Sequence, residues 1–198
     1  MLKLYHYGSN KKQLPTTLKS LVGVDIKYSL TIEDCKMLTF DLFPIVTTRE
    51  ITSVNDFVSM VIEKQGVILL ILNESNIGHY VAFTFNPQTK LLSYYDSYAS
   101  NYTVYGNQVL NRLITGIRAN LSERSGFRFE MNTNKQQVKS RSINNCGRYS
   151  CLRVLMNDYD NASFNRLMDS SLKDVNTTDD IVCLLTGTLG LAKRDNRR

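Results

Sequence analysis

A thiol becomes an effective nucleophile when a neighbouring base takes its proton and a third group orients that base. The chain offers two histidines for the base, His6 and His79. His6 lies in the opening stretch MLKLYHYGSNKK, which carries no apolar pattern to hold it in a core. A histidine-dependent mechanism therefore runs through His79, which follows Gly78 at the start of a strand-like run over residues 79–85. A second such run, residues 90–96, follows the turn Asn86-Pro87-Gln88-Thr89, where Asn suits the first position and the fixed φ of proline the second. If Asn86 faces Thr89 across that turn, His79 faces Asp96. Directly opposed residues have Cβ atoms roughly 4.5–5.5 Å apart. A carboxylate there fixes the ring tautomer and leaves the other nitrogen free as base. A one-residue slip in register would destroy the relation. The competing reading is a cross-strand pair on a polar face.

The nucleophile candidate is Cys146, in Ile143-Asn144-Asn145-Cys146-Gly147-Arg148-Tyr149-Ser150-Cys151. Asn145 suits a helix N-cap, which puts Cys146 in the first turn. The helix dipole and free N–H groups there favour the thiolate and can hold an oxyanion. Gly147 leaves room for a substrate backbone. Cys35, Cys151 and Cys183 read as core residues. Cys146 by itself reads better as a small buried residue at a helix start.

These residues need elements to position them. A short helix is expected over residues 14–29, with Pro15 near its start; residues 37–46 give no clear pattern. Residues 53–64 read as a helix capped by Ser53, with Phe57, Val58, Val61 and Ile62 on one face. Residues 67–72 form a continuous apolar run, the signature of a buried strand. Val109, Leu110, Leu113, Ile114 and Ile117 mark a helix over 104–121, and 127–131 a short strand. From Asn145 a helix carries Tyr149, Leu152, Leu155 and Met156 on one side, and two more follow over 163–172 and 178–189. The sum is an α+β fold, one domain over 1–198, with a small, mostly antiparallel sheet flanked by helices.

Composition narrows the classes. The 198 residues are 42% hydrophobic and 21% charged, ordinary for a folded domain. No apolar run approaches the roughly 20 residues of a membrane span. The N-terminal residues lack the apolar segment of a secretory signal. Four cysteines without a CxxC pair, beside two histidines, argue against a zinc site or a disulfide framework. A reducing compartment is expected. The net charge of +6 points to an anionic partner without naming one. Two basic clusters stand out: Lys135, Lys139, Arg141, Arg148 and Arg153 around the nucleophile segment, and Lys193, Arg194, Arg197 and Arg198 in the tail.

The run Gly78-His79-Tyr80-Val81-Ala82-Phe83-Thr84-Phe85-Asn86-Pro87-Gln88-Thr89-Lys90 resembles the histidine strand and Asn-Pro turn of the adenovirus maturation protease family. Asp96 follows at the separation of that family's acidic residue. Asn145-Cys146-Gly147-Arg148-Tyr149-Ser150-Cys151 resembles its nucleophile motif, second cysteine included. The order His, acid, Gln, Cys is also that of the related proteases of SUMO and other ubiquitin-like proteins. The resemblance covers residues 67–158. Tyr80 stands where the family has Trp, and an aromatic ring there can stack near a charged imidazole. Asp96 replaces the Glu of the adenovirus enzymes, as is usual in the ubiquitin-like branch. The family's oxyanion glutamine falls by spacing near Lys139. The role is carried to Gln137, with Gln136 and Asn144 as alternatives.

The resemblance implies a papain-like cysteine protease arrangement that needs no metal or organic cofactor, with DNA or a peptide as activator. It implies a protein substrate, a viral capsid or core precursor cut after glycine in small-residue sites. The place of action would be the viral assembly site, in the host nucleus or a cytoplasmic factory, and the virion. The alternatives are a protease of ubiquitin-like modifiers, an acetyltransferase with the same residue order, and a basic nucleic-acid-binding packaging protein without activity. A monomer with no membrane association is expected.

Overall fold

A computed structural model describes residues 28–73, 78–138, 143–170 and 177–194, with residues 188–194 described by backbone alone. The helix expected over 14–29 falls almost wholly outside these residues, as do His6, Lys139, Arg141 and the tail beyond residue 194.

Five strands form one sheet in chain order: β1 (Ile45–Thr47), β2 (Gly66–Leu72), β3 (Gly78–Asn86), β4 (Leu91–Tyr95) and β5 (Arg128–Met131). The central three are antiparallel, as the sequence leads one to expect. Both edge strands run parallel to their neighbours. The connections explain this, since parallel neighbours need a crossover. Helix α2 (Val54–Lys64) lies between β1 and β2, and helix α3 (Gln108–Ser122) between β4 and β5.

Those two helices cover one face of the sheet. Phe57, Val58 and Val61 of α2 and Leu110, Leu113, Ile114 and Ile117 of α3 pack on Val67, Leu69, Val81 and Phe83. The other face, with Ile68, Tyr80, Ala82 and Tyr95, packs against α1 (Ile32–Leu38), α4 (Cys146–Leu155), α5 (Asn161–Ser170) and α6 (Thr178–Arg194). Alternate residues of β2 thus enter different cores, which is why that strand reads as an unbroken apolar run. The fold is α+β, a small sheet flanked by helices on both faces. No helix among the described residues is long and apolar enough to cross a membrane.

Local chemistry sets the element ends. Ser53 caps α2, its Oγ accepting the Asp56 N–H at 3.3 Å. The single helix expected over 104–121 is instead a 3₁₀ turn, Tyr102–Tyr105, followed by α3. Gly106 takes φ 60° between them, and Asn107 then caps α3 by accepting the Leu110 N–H at 2.9 Å. The ambiguous stretch 37–46 holds the end of α1, a turn with Phe40 and Asp41 at positive φ, and the start of β1.

The hairpin that positions the histidine departs from the expected register. Asn86 faces Leu91, not Thr89, and the ladder ends at Ala82 opposite Tyr95. Asn86 Oδ1 accepts from the N–H groups of Gln88 and Thr89, and Lys90 closes a longer turn at φ 49°. The shift is two residues. An odd shift would move every side chain to the other face, and an even one does not. Asp96 therefore stays on the face of His79 as a diagonal neighbour, a separation long side chains can bridge.

Candidate active site

Cys146 is the first residue of α4, as its motif requires, but Asn145 makes no side-chain cap. Its amide is drawn away: Nδ2 donates to Asp179 Oδ1 at 3.1 Å, and Oδ1 accepts from Cys183 Sγ. Every residue of α4 from Gly147 to Val154 is buried, in place of the single apolar side expected. The helix is wedged between the sheet and α1, α5 and α6. Gly147 serves that packing. A Cβ there would meet Leu30 and the Tyr80 ring at 3.2 Å, so the residue fits a close approach to protein rather than leaving space for substrate.

The structure brings three of the four predicted residues together: Asp96 hydrogen-bonded to His79, and His79 beside Cys146. His79 Nε2 lies 2.8 Å from Asp96 Oδ1. The other ring nitrogen is left for Cys146, and the two groups shift each other's protonation. Asp96 is fully buried, and two further donors saturate its carboxylate. The Tyr98 N–H reaches Oδ1 at 2.9 Å and the Tyr105 hydroxyl reaches Oδ2 at 2.6 Å. Asn132 fixes the backbone at that point, accepting the Asp96 N–H and donating to its carbonyl.

Protonation follows from this geometry. Burial alone would depress the His79 pKa, but the hydrogen bonds to Asp96 and Cys146 outweigh it and lift the ring to about 9. Burial would raise the Cys146 thiol. The bond and charge of His79, with N–H groups of Tyr80 and Gly147 on the sulfur, bring it below its ordinary value instead. Both shifts act in the same sense, favouring the thiolate–imidazolium form of the pair. Cys151, a free cysteine hydrogen-bonded to Cys35 and buried, is shifted the opposite way and stays a thiol. Cys35, Cys151 and Cys183 are all core residues, as read from the sequence.

Gln137 is fully buried beside this group. Ser97 Oγ donates to its Oε1 at 2.7 Å, which turns Nε2 towards the Tyr98 hydroxyl (3.0 Å) and the Ile143 carbonyl (3.4 Å). Those bonds fix the orientation of the amide, tying it to Tyr98, which stacks on His79, and to Ile143 on the segment that leads into Cys146. The Gln136 side-chain oxygen is buried without a hydrogen-bond partner among the described residues, and its backbone carbonyl accepts from Tyr149 and Thr178. Asn144 is exposed.

Two residues escaped the sequence reading. The ring near the imidazole is not Tyr80, which is buried beneath α4. Tyr98 and Tyr105 stack on it, with centroids 5.2 and 5.0 Å from that of His79 and planes within 19°. Their signal was faint. Continued past Tyr95, the observed register places Tyr98, not Asp96, across from His79. Tyr105→Phe keeps the stack and removes the bond to Asp96. A hydrogen bond to a charged group contributes about 1.5–3 kcal/mol. Turnover should therefore fall roughly 10- to 100-fold with little change in KM, which steady-state kinetics would show.

The basic cluster around the nucleophile is not one surface. Arg153 is fully buried, its guanidinium donating to Asn161 and to the carbonyls of Met156 and Tyr159. Arg148 is 4% exposed and donates to Thr186. Of that cluster only Lys135 is exposed among the described residues. No three His, Cys, Asp or Glu side chains among the described residues gather so as to hold a metal ion.

No protein-family model matches the chain, and no curated protein does. Some solved structures are similar to it at low identity. A protease of ASFV is 11% identical, with 81% of this chain and 67% of that one covered and a TM-score of 0.49. The central domain of an uncharacterized protein from Legionella pneumophila is 14% identical, with 84% and 98% covered and a TM-score of 0.45. The C-terminal Ulp1 protease domain, in complex with Smt3, the yeast ortholog of SUMO, is 14% identical, with 92% and 100% covered and a TM-score of 0.35. At these identities and scores the chemistry stands on the residues described above.

Proposed function

We propose that the chain is a cysteine endopeptidase. The observation that carries this reading is the line of hydrogen bonds from Tyr105 through Asp96 to His79, with the imidazole acting in turn on the Cys146 thiol. The Cys146 thiolate attacks the scissile carbonyl. The Gln137 side chain and the Cys146 backbone N–H hold the oxyanion that forms. His79 then protonates the leaving amine, and water, deprotonated by the same imidazole, clears the thioester. Every step is served by these side chains, without a metal or an organic cofactor.

The motif resemblance directs the substrate: a capsid or core precursor of a DNA virus or virus-like element, cut after glycine among small residues at the site of virion assembly. An activating DNA would have to be held by cations other than Arg148 and Arg153, and its binding would weaken steeply with salt. The packaging-protein reading loses the same two cations. A peptide library, run beside precursor proteins and a panel of ubiquitin-like substrates, tests the proposal. Cleavage after glycine in the precursors, absent in Cys146→Ala, is expected. A strict basic or aromatic requirement at that position would contradict it, and processing of ubiquitin-like substrates alone would move the enzyme to the modifier proteases.

A further inference from the structure

The segment that carries Gln137 and the segment that carries Cys146 meet at one buried carboxylate. Asp179, the second residue of α6, has no exposed surface. Its Oδ2 accepts the Val138 N–H at 2.9 Å, one residue past Gln137. Its Oδ1 accepts Asn145 Nδ2 at 3.1 Å, one residue before Cys146. Thr178, its neighbour on α6, donates to the Gln136 carbonyl, so both flanks of Gln137 are anchored on the same turn of helix. The N–H groups of Gln136 and Gln137 are in turn fixed on the Ser97 carbonyl.

An oxyanion hole acts by having its donors in place before charge develops, and a misplaced donor loses most of its effect. Here the two donors come from separate segments, residues 137 and 146, which Asp179 joins alongside the Gln137 bond to the Ile143 carbonyl and the Tyr149 bond to the Gln136 carbonyl. Burying a carboxylate is costly, and burial holds Asp179 above the usual carboxylate range despite its bonds to Val138, Asn145 and Tyr149. The bond to Asn145 also accounts for the missing cap on α4.

Building on the protease reading, we infer that Asp179 is a positioning residue that sets the spacing between the Gln137 amide and the Cys146 N–H, and so forms the oxyanion hole. It lies outside the Tyr105–Asp96–His79–Cys146 line and makes no hydrogen bond to the sulfur or the imidazole. Thiolate formation and oxyanion stabilisation are therefore separable at this residue.

Two reagents separate them without knowledge of the natural substrate. Iodoacetamide alkylates Cys146 by displacement at carbon and needs only the thiolate. Acetylation by p-nitrophenyl acetate passes through a tetrahedral oxyanion: the sulfur–carbonyl bond forms, p-nitrophenolate leaves, and a thioester remains. Loss of one oxyanion donor costs about 10²–10³-fold in known enzymes. In Asp179→Asn, where one lobe of the side chain becomes a donor facing a donor, acetylation should fall roughly 10- to 100-fold while alkylation stays within about 2-fold. Asp179→Ala should do the same more strongly, and Gln137→Ala should show the same selective loss. Combined with Asp179→Asn it should give less than the product of the two effects.

Equal loss in both reactions in Asp179→Asn would make the residue a structural support only, and no loss in either would remove its role. If wild-type Cys146 alkylates no faster than in His79→Ala, the thiolate–imidazolium site itself is absent, and the protease reading falls together with the inference. That last result is separate from the first two, because it is read in the wild type before any change at Asp179.

Discussion

Cys146→Ala is expected to abolish peptide cleavage, a loss on the order of 10⁶-fold by comparison with other nucleophile deletions, while the protein stays folded. Cys146 is only partly buried, and the change removes one sulfur atom. The sulfur matters for charge more than for packing. Its bond and its negative charge are among the causes that lift His79 to about 9. Without it burial gains weight, so the imidazole of the alanine variant should titrate at lower pH. Nuclear magnetic resonance of the His79 ring would follow that shift. An unchanged titration, or residual cleavage, would mean that the sulfur is not the partner of the ring.

Asp96→Asn is expected to come next, with a fall in turnover approaching about 10⁴-fold. The amide can keep the shape of the site: its oxygen accepts from His79 and the Tyr98 N–H, and its nitrogen donates to the Tyr105 oxygen, which can turn to accept. What is lost is the buried negative charge beside the imidazolium. The His79 pKa should then drop from about 9, and the pair should shift back towards neutral thiol and neutral imidazole. Kinetics across pH would show the alkaline limb moving to lower pH together with the loss of rate. A variant of nearly full activity would leave Asp96 as a structural residue.

How much of this was legible in the sequence depended on how local each cause was. The histidine was fixed by scarcity, since only two are present and His6 had no element to hold it. The acid was placed by a hairpin argument whose turn was wrong by two residues, and the pair survived because an even shift keeps side chains on their face. Cys146 at a helix start was readable from its motif, but the fate of Asn145 was not. Its partner Asp179 is 34 residues away, and no local pattern announces a contact of that range. Tyr105 sits in a 3₁₀ turn, which carries no amphipathic period. Strand direction at both edges followed from helical crossovers rather than from the strands themselves. Arg148 and Arg153 misled for a plain reason: a charge in sequence reads as surface, whereas these guanidinium groups are held inside by hydroxyl, amide and carbonyl partners.

The most direct test of the central claim is the rate of Cys146 alkylation by iodoacetamide as a function of pH, in the wild type and in His79→Ala. The sign follows from the two shifts. Cys146 is lowered, so the thiolate should be present and reactive below the pH at which an ordinary thiol ionises. His79 is raised to about 9, so the rate should hold a plateau of ion-pair reactivity up to that region and change there as the imidazolium loses its proton. In His79→Ala the plateau should vanish, leaving one rise near the roughly 8.5 of a free thiol. A wild-type profile with that single rise, identical to the variant's, would contradict the thiolate–imidazolium pair and the enzyme built on it.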